Sequence, residues 1–210
     1  MGTIDSEIIH LEDQSHLDFT DVRKRTLYRY AREMSKEWVQ KELLTVCARR
    51  ESSAPTLRYI NAPTRLEFLI SIALVQNFQC LDVNPNYFVD DEGLPIFTAT
   101  GGYADIECYD TDCDSYFEVT LMCGRSEQVN NEIIPISRHL REAKAKRRAE
   151  SFSVFVAPVI HPDTVEAADW QKQKYNVDIF TFNINEFIEK INSSDHVFQL
   201  SGIGFIKLKN

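Results

Sequence analysis

The 210-residue sequence is short of the features that would place it outside the ordinary globular class. With 7 glycines and 7 prolines it cannot be a collagen-like or low-complexity polymer, and its 11% aromatic content argues against wholesale disorder. No apolar run approaches about 18 residues, so no membrane span is expected. The opening, Met1-Gly2-Thr3-Ile4-Asp5-Ser6-Glu7, lacks the basic and apolar stretches of a secretory signal. Cysteine is scarce: Cys47, Cys80, Cys108, Cys113 and Cys123 are odd in number and include no CxxC pair. Free thiols in a reducing cytoplasm are therefore expected, with neither a disulfide frame nor a structural zinc site. Internal repeats, a GxxxxGK[ST] phosphate loop, zinc-finger spacing and a defensible helix-turn-helix are also absent. What is there, 43% hydrophobic and 26% charged residues, is enough for a single core.

Bases are the minority charge. The 23 Lys and Arg against 32 Asp and Glu give a net charge of −9, which argues against a surface that grips nucleic acid all over. The average hides a polarised layout. Residues 20–50 carry nine bases against four acids, and Leu27, Tyr30, Met34, Trp38 and Lys41 fall near helical spacing, predicting one or two amphipathic helices. Residues 104–118 hold six acids and no base, whereas residues 125–150 hold seven bases against four acids. Acidic strands beside a basic helix suit a metal site that faces a polyanion; taken alone, the same runs are equally solvated loops and a solvated helix face.

The pattern predicts a helix over 64–74, opened by Pro63 and Thr64, and a hairpin from Tyr87–Asp90 and Ile96–Ala99 around Asp91-Glu92-Gly93. Strands are predicted at 104–109 and 116–122, joined by the polar turn Asp110-Thr111-Asp112-Cys113-Asp114. A helix over 137–150, a buried strand over 152–159, a helix over 165–175, a strand over 179–184 and a short helix over 186–191 complete the reading. Alternation of strand and helix after residue 104 implies an α/β fold with a mixed central β-sheet flanked by helices. Residues 1–60 are expected to form an N-terminal helical or linker segment, and 61–210 the main domain.

Chemistry concentrates in Gly101-Gly102-Tyr103-Ala104-Asp105 and Phe117-Glu118-Val119-Thr120. Alternation along a strand puts Phe117, Val119 and Leu121 on one face and Glu118 and Thr120 on the other. If Asp105 lies opposite Glu118 in an antiparallel pair, their Cβ atoms are about 4.5–5.5 Å apart. Two carboxylates so close repel one another unless a cation neutralises them, and Mg²⁺ takes such ligands together with phosphate oxygens. On spacing alone, an acid starting an edge strand and a second acid paired with a base explain the same residues equally well.

Asp105, followed after 13 positions by Glu118-Val119-Thr120, resembles the PD-(D/E)xK nuclease core with Thr in place of its lysine and Ala104 in place of its proline. The surrounding words are more specific. Thr64-Arg65-Leu66-Glu67-Phe68-Leu69, Asp90-Asp91-Glu92-Gly93-Leu94-Pro95, Gly101–Glu107, Glu118–Met122 and Arg138-His139-Leu140 resemble, in this order, the catalytic domain of the AlwI-type family of Type IIS restriction endonucleases and related nicking enzymes. The likeness spans about residues 61–160. It implies a PD-(D/E)xK nuclease-like fold and Mg²⁺-dependent hydrolysis of a phosphodiester in double-stranded DNA, outside the recognised sequence.

The resemblance makes Asp105 and Glu118 metal ligands, with Val119 joining the metal set, and Thr120 a member of the catalytic group at the lysine position. Glu67 matches a helix acid near the metal; three residues after Thr64, it equally completes a capping box. Glu132 and His139 are further catalytic candidates, against the plainer readings of a solvated acid before a turn and a half-buried histidine. Arg138, Lys144, Lys146 and Arg147 are candidate contacts to the DNA backbone, or simply a wet helix face. Without a visible sequence-reading module, recognition is expected from another domain or subunit, in a homodimer or heterodimer. The missing lysine leaves open a second reading, a subunit that keeps the fold and binds DNA without cutting it.

Overall fold

The computed structural model describes residues 19–111, 113–147 and 150–202. Asp112 and Arg148, which contribute to the charge runs, and the first 18 residues of the N-terminal segment lie outside them. The predicted amphipathic stretch is two helices, α1 (Phe19–Glu33) and α2 (Lys36–Cys47), broken where the Ser35 side chain accepts the Trp38 N–H as a cap. A single turn, α3 (Pro55–Arg58), leads to α4 (Ala62–Asn77).

Helix α4 starts two residues before its predicted position. The Asn61 side chain accepts the Thr64 N–H at 3.1 Å and Pro63 occupies the first turn, so Thr64 lies inside the helix and does not cap it. Every residue from Thr64 to Leu74 is buried, as befits a helix that is apolar nearly all round. It is packed between the sheet and the helices α1 and α2. Phe68 meets Tyr30 and Tyr87 edge-on at ring-centroid distances of 5.3 and 5.9 Å.

The main sheet contains β1 (Asp82–Pro85), β4 (Ile106–Tyr109), β5 (Asp114–Val119), β6 (Ser151–Ala157) and β7 (Ile179–Asn183), in the order β1-β4-β5-β6-β7. The first three strands are antiparallel and the last three parallel, so the sheet is mixed. Strand β6 is buried throughout, as its continuous apolar sequence required. The four residues of β1 were too few, and too polar, to signal a strand. A separate hairpin pairs β2 (Phe88–Val89) with β3 (Pro95–Phe97) around the turn at Gly93, whose φ of +81° favours glycine.

After β5 the chain does not make the expected turn. It forms a π-helical segment (Glu127–Ile133) that runs directly into α5 (Ile134–Lys146). Helices α6 (Pro162–Tyr175) and α7 (Ile184–Asn192) follow β6 and β7, and a 3₁₀ turn closes at Val197–Ser201. Helices α5 and α6 cover one face of the sheet through Ile136, Leu140 and Ala168 against Tyr116 and Phe155. The other face packs on α4 and α7, and Leu27, Val39, Leu43 and Val46 from α1 and α2 belong to that same apolar cluster.

Gln128 is a large polar side chain fully enclosed in this framework. Gln128 donates to the carbonyls of Met122 (2.8 Å) and Val159 (2.7 Å) and accepts from His161 N–H and the Thr164 hydroxyl (both 2.9 Å). All four of its hydrogen-bonding positions are satisfied, which makes its burial tolerable.

Because α2 shares the sheet's core, Leu43→Ala should cost about 2–5 kcal/mol. Urea unfolding followed by circular dichroism and by tryptophan fluorescence should show one coincident transition, and separate transitions would mean that α2 unfolds independently.

Candidate active site

The junction of β4 and β5 builds the site. Register in this pair sets Ile106 opposite Phe117, so the next step outward sets Asp105 opposite Glu118, the antiparallel pairing considered from the spacing. Asp105 has just left the regular ladder. Its Oδ2 accepts the Val119 N–H at 2.7 Å, a bond that holds the carboxylate across the strand gap. Asn86 fixes the approach from behind: its N–H donates to the Asp105 carbonyl and its side-chain amide to the Ala104 carbonyl, both at 2.8 Å. The preceding loop turns through Gly102 at φ +105°, a conformation that disfavours a side chain.

Glu118 and Thr120 point to the α5 side of the sheet, opposite the Phe117 face, and both are buried. The Thr120 hydroxyl accepts the Met122 N–H at 3.2 Å, and Glu132 descends to the same place from the π-helical segment. A π-turn beside a functional cluster is a recurrent arrangement. Glu67 reaches the same place from α4. It is not the far half of a capping box: its Oε2 accepts the Ala99 N–H at 3.2 Å, and the residue is 2% exposed. His139 approaches from α5, with Nδ1 buried, lacking a hydrogen-bond partner and 3.7 Å from Glu118 Oε1.

These carboxyls sense one another. Burial, and then the Glu118 charge, push Asp105 well above the usual carboxylate range, against the opposing pull of the Val119 N–H. Burial and Glu132 push Glu118 up to about 8, and burial and Asp105 push Glu67 up to about 9. Burial also raises Glu132. His139 is lowered, first by burial and then by Arg138, which favours the neutral imidazole. Among the described residues none of the four carboxylates has a lysine or arginine salt-bridge partner. In the conformation described, no three His, Cys, Asp or Glu side chains among those residues converge tightly enough to enclose an ion. The donors are nonetheless all hard oxygens, buried or half-buried and without a lysine or arginine counter-charge, a donor set that fits Mg²⁺ better than zinc. A valine side chain cannot ligate, so Val119 could contribute only its carbonyl.

The cluster floors an open cleft of about 1150 Å³. Arg138, a candidate DNA contact, lies on its wall. Lys144, Lys146 and Arg147 do not. Lys144 donates to the Asn176 carbonyl at 3.2 Å and faces Asp178. Arg147 pairs with buried Asp114 at 3.0 Å and lies over the Tyr109 ring, and exposed Lys146 is likewise absent from the cleft lining. Sequence reasoning missed the bases that do line it: Arg49, Arg50 and Arg58, all exposed. The Arg49-Arg50 doublet is conspicuous in the sequence, but only the tertiary fold brings the end of α2 to the mouth of the strands. Arg65 also lines the cleft but is buried and donates to the Arg50 carbonyl at 2.9 Å, so it serves to hold that segment.

Carboxylates gathered where the antiparallel and parallel halves of a mixed sheet meet are set in the fold of a restriction endonuclease. The small subunit of the heterodimeric restriction endonuclease R.BspD6I superposes with a TM-score of 0.60 and 21% identity, over 72% of this chain and 76% of that one. The chain belongs to the AlwI restriction endonuclease family, which it matches over residues 5–189. That match extends well past the 61–160 span of the sequence motifs and takes in α1 and α2. No curated protein matches the chain.

Raised carboxyl pKa values fix the sign of a pH effect. A group that is easier to ionise in the unfolded chain adds stability only while it stays protonated, below its unfolded value of about 4.3, and loses that contribution as pH rises toward the folded value. In EDTA, Tm should therefore fall between about pH 5 and the value of about 8 reached by Glu118. Glu118→Gln should flatten that fall and raise Tm at pH 8, by on the order of 5 °C given ~2–4 °C per kcal/mol in a chain of this size. Parallel Tm–pH curves for the two proteins would contradict the assignment.

Proposed function

We propose that this member of the family is the DNA-cleaving unit of a Type IIS or nicking restriction enzyme, hydrolysing a phosphodiester outside the recognised sequence with Mg²⁺. The observation that carries this is a floor of four mutually repelling carboxyls, with no basic partner among the described residues, at the bottom of a cleft walled by arginines. Asp105, Glu118 and the Val119 carbonyl would hold the ion, with Glu67 and Glu132 close behind. Bound there, Mg²⁺ supplies a water acidic enough to attack at neutral pH and a positive charge for the developing phosphorane.

The protein's own residues do the rest. Arg49, Arg50, Arg58 and Arg138 engage phosphates of the strand entering the cleft, which positions the DNA without reading its sequence. The Val119 N–H keeps Asp105 aimed across the strand gap. Thr120 cannot supply the positive charge of the lysine common in the superfamily; its hydroxyl instead accepts the Met122 N–H beside the cluster. Neutral His139, whose buried Nδ1 faces Glu118, is placed to exchange a proton with that carboxyl.

One such cleft addresses one strand. Double-strand cleavage would need a second nuclease unit, and targeting would need a recognition domain or subunit. The heterodimeric assembly of the R.BspD6I small subunit supports a partner of that kind. A second reading, a DNA-binding subunit without catalysis, draws on Thr120 at the lysine position and on the open spacing of the carboxylates.

Nicking of supercoiled plasmid in Mg²⁺, with the partner present where one is required, tests the proposal. Asp105→Asn and Glu118→Gln should each reduce the rate at least ~10²-fold, the scale expected when stabilisation of transition-state charge is removed. Equal rates in all three proteins would refute it. Calorimetric Mn²⁺ titration discriminates the second reading: no binding that depends on Asp105 and Glu118 would favour the inactive subunit. Arg58→Gln should weaken DNA binding about equally on all sequences and reduce the salt slope by about 1.

A further inference from the structure

The bases of α1 sort into two groups. Arg23 donates to the Tyr87 carbonyl at 2.8 Å, and Lys24 is tied to Asp82 and Asn84 on β1, so both are engaged within the fold. Lys36, at the start of α2, is likewise held by Asn77 at 2.9 Å. Arg25, Arg29 and Arg32 are not committed in this way. They recur at intervals of four and three residues, so they share one face, and all three are exposed.

None of these three has an acidic partner among the described residues. Arg25 Nε and Arg32 Nε only touch backbone carbonyls of their own helix, those of Asp21 and Tyr28, and the Arg29 guanidinium lies 5.3 Å from the Tyr30 ring centroid. The acids on α1 are Asp21 and Glu33, and neither bridges the stripe. Like charges four apart on a helix destabilise it, so this arrangement lacks an internal reason. The opposite face of α1, through Leu27 and Tyr30, is buried in the core, so no apolar face remains for a lipid surface.

We propose that this stripe is a second binding surface for the phosphate backbone of duplex DNA, separate from the arginines of the cleft; its role as such rests on the nuclease reading. Between Arg25 and Arg32 the helix rises about 10 Å, which matches about three phosphates along one strand at ~3.4 Å of axis per charge. The three guanidiniums, with Lys24, Tyr28 and Asp21, line one shallow groove, so a backbone can be followed and not merely touched. In a chain of net charge −9, such a surface also decides which side of the molecule a duplex approaches.

Fluorescence anisotropy with a short duplex of arbitrary sequence, in EDTA and across about 50–200 mM salt, tests this on the full chain. The triple variant R25Q/R29Q/R32Q should keep the parent Tm, bind roughly 10- to 100-fold more weakly at the low-salt end, and show a log–log salt slope shallower by ~2–3. The triple Arg→Lys variant should retain the slope, because charge and not shape is being read. An unchanged slope in the glutamine variant, while the unsubstituted chain still nicks DNA in Mg²⁺, overturns the stripe and leaves the nuclease reading standing. The stripe is equally overturned if the variant keeps its slope but no longer co-purifies with a partner subunit, for then a protein covers it. A slope that falls in a chain unable to nick even with its partner present supports the stripe and removes the nuclease reading. Absence of both duplex binding and nicking in the unsubstituted chain overturns both.

Discussion

The proposed site turns on electrostatic repulsion among carboxyls that the fold brings together. Asp105 and Glu118 stand across one strand gap, with Glu67 and Glu132 brought in from a helix and a π-helical segment. Left alone, such a cluster would protonate or spread apart. The Val119 N–H and the Ala99 N–H each hold one carboxylate in place without neutralising it. The raised pKa values keep Asp105, Glu118 and Glu67 largely protonated near neutral pH, and a hard cation would let them ionise.

Much of this was legible in the sequence. Alternation along residues 116–121 placed Glu118 and Thr120 together, and the Asp105–Glu118 register follows from the short polar turn between the strands. The buried strand β6 and the helices after it were plain from apolar run length and period. Three things were not legible. Helix α4 is buried nearly all round, so its period said nothing of its ends, and Asn61 caps it three residues before the predicted start. The π-helical segment has no composition of its own, so Glu132 read as an acid before a turn. Basic residues were assigned by proximity in sequence, which favoured Lys144, Lys146 and Arg147; side-chain reach and ion pairing then turned two of these toward Asp178 and Asp114. The arginines that wall the cleft come from the end of α2 and from α3, a placement only long-range packing decides.

The charge layout resolves an apparent contradiction. A chain of net charge −9 is a poor polyanion binder on average, yet four of its acids are drawn to the cleft floor while exposed arginines rim that cleft and stripe α1. Field lines from such an arrangement draw a duplex to a few places and repel it from the rest. Weak general affinity with local attraction suits a nuclease of a restriction family, because an enzyme that bound every sequence tightly would cut without discrimination.

The buried amide of Gln128 sets where the molecule can yield. It joins the chain leaving β5, the chain leaving β6 and the first turn of α6, and parting them would break four hydrogen bonds in a water-free interior. The facing bank of the cleft carries no such rivet: Gly101 and Gly102 have open space around them. In the proposed reading, room for a thick double helix would come from one jaw, the glycine loop, while the jaw that carries Glu118 and Glu132 would act as an anvil.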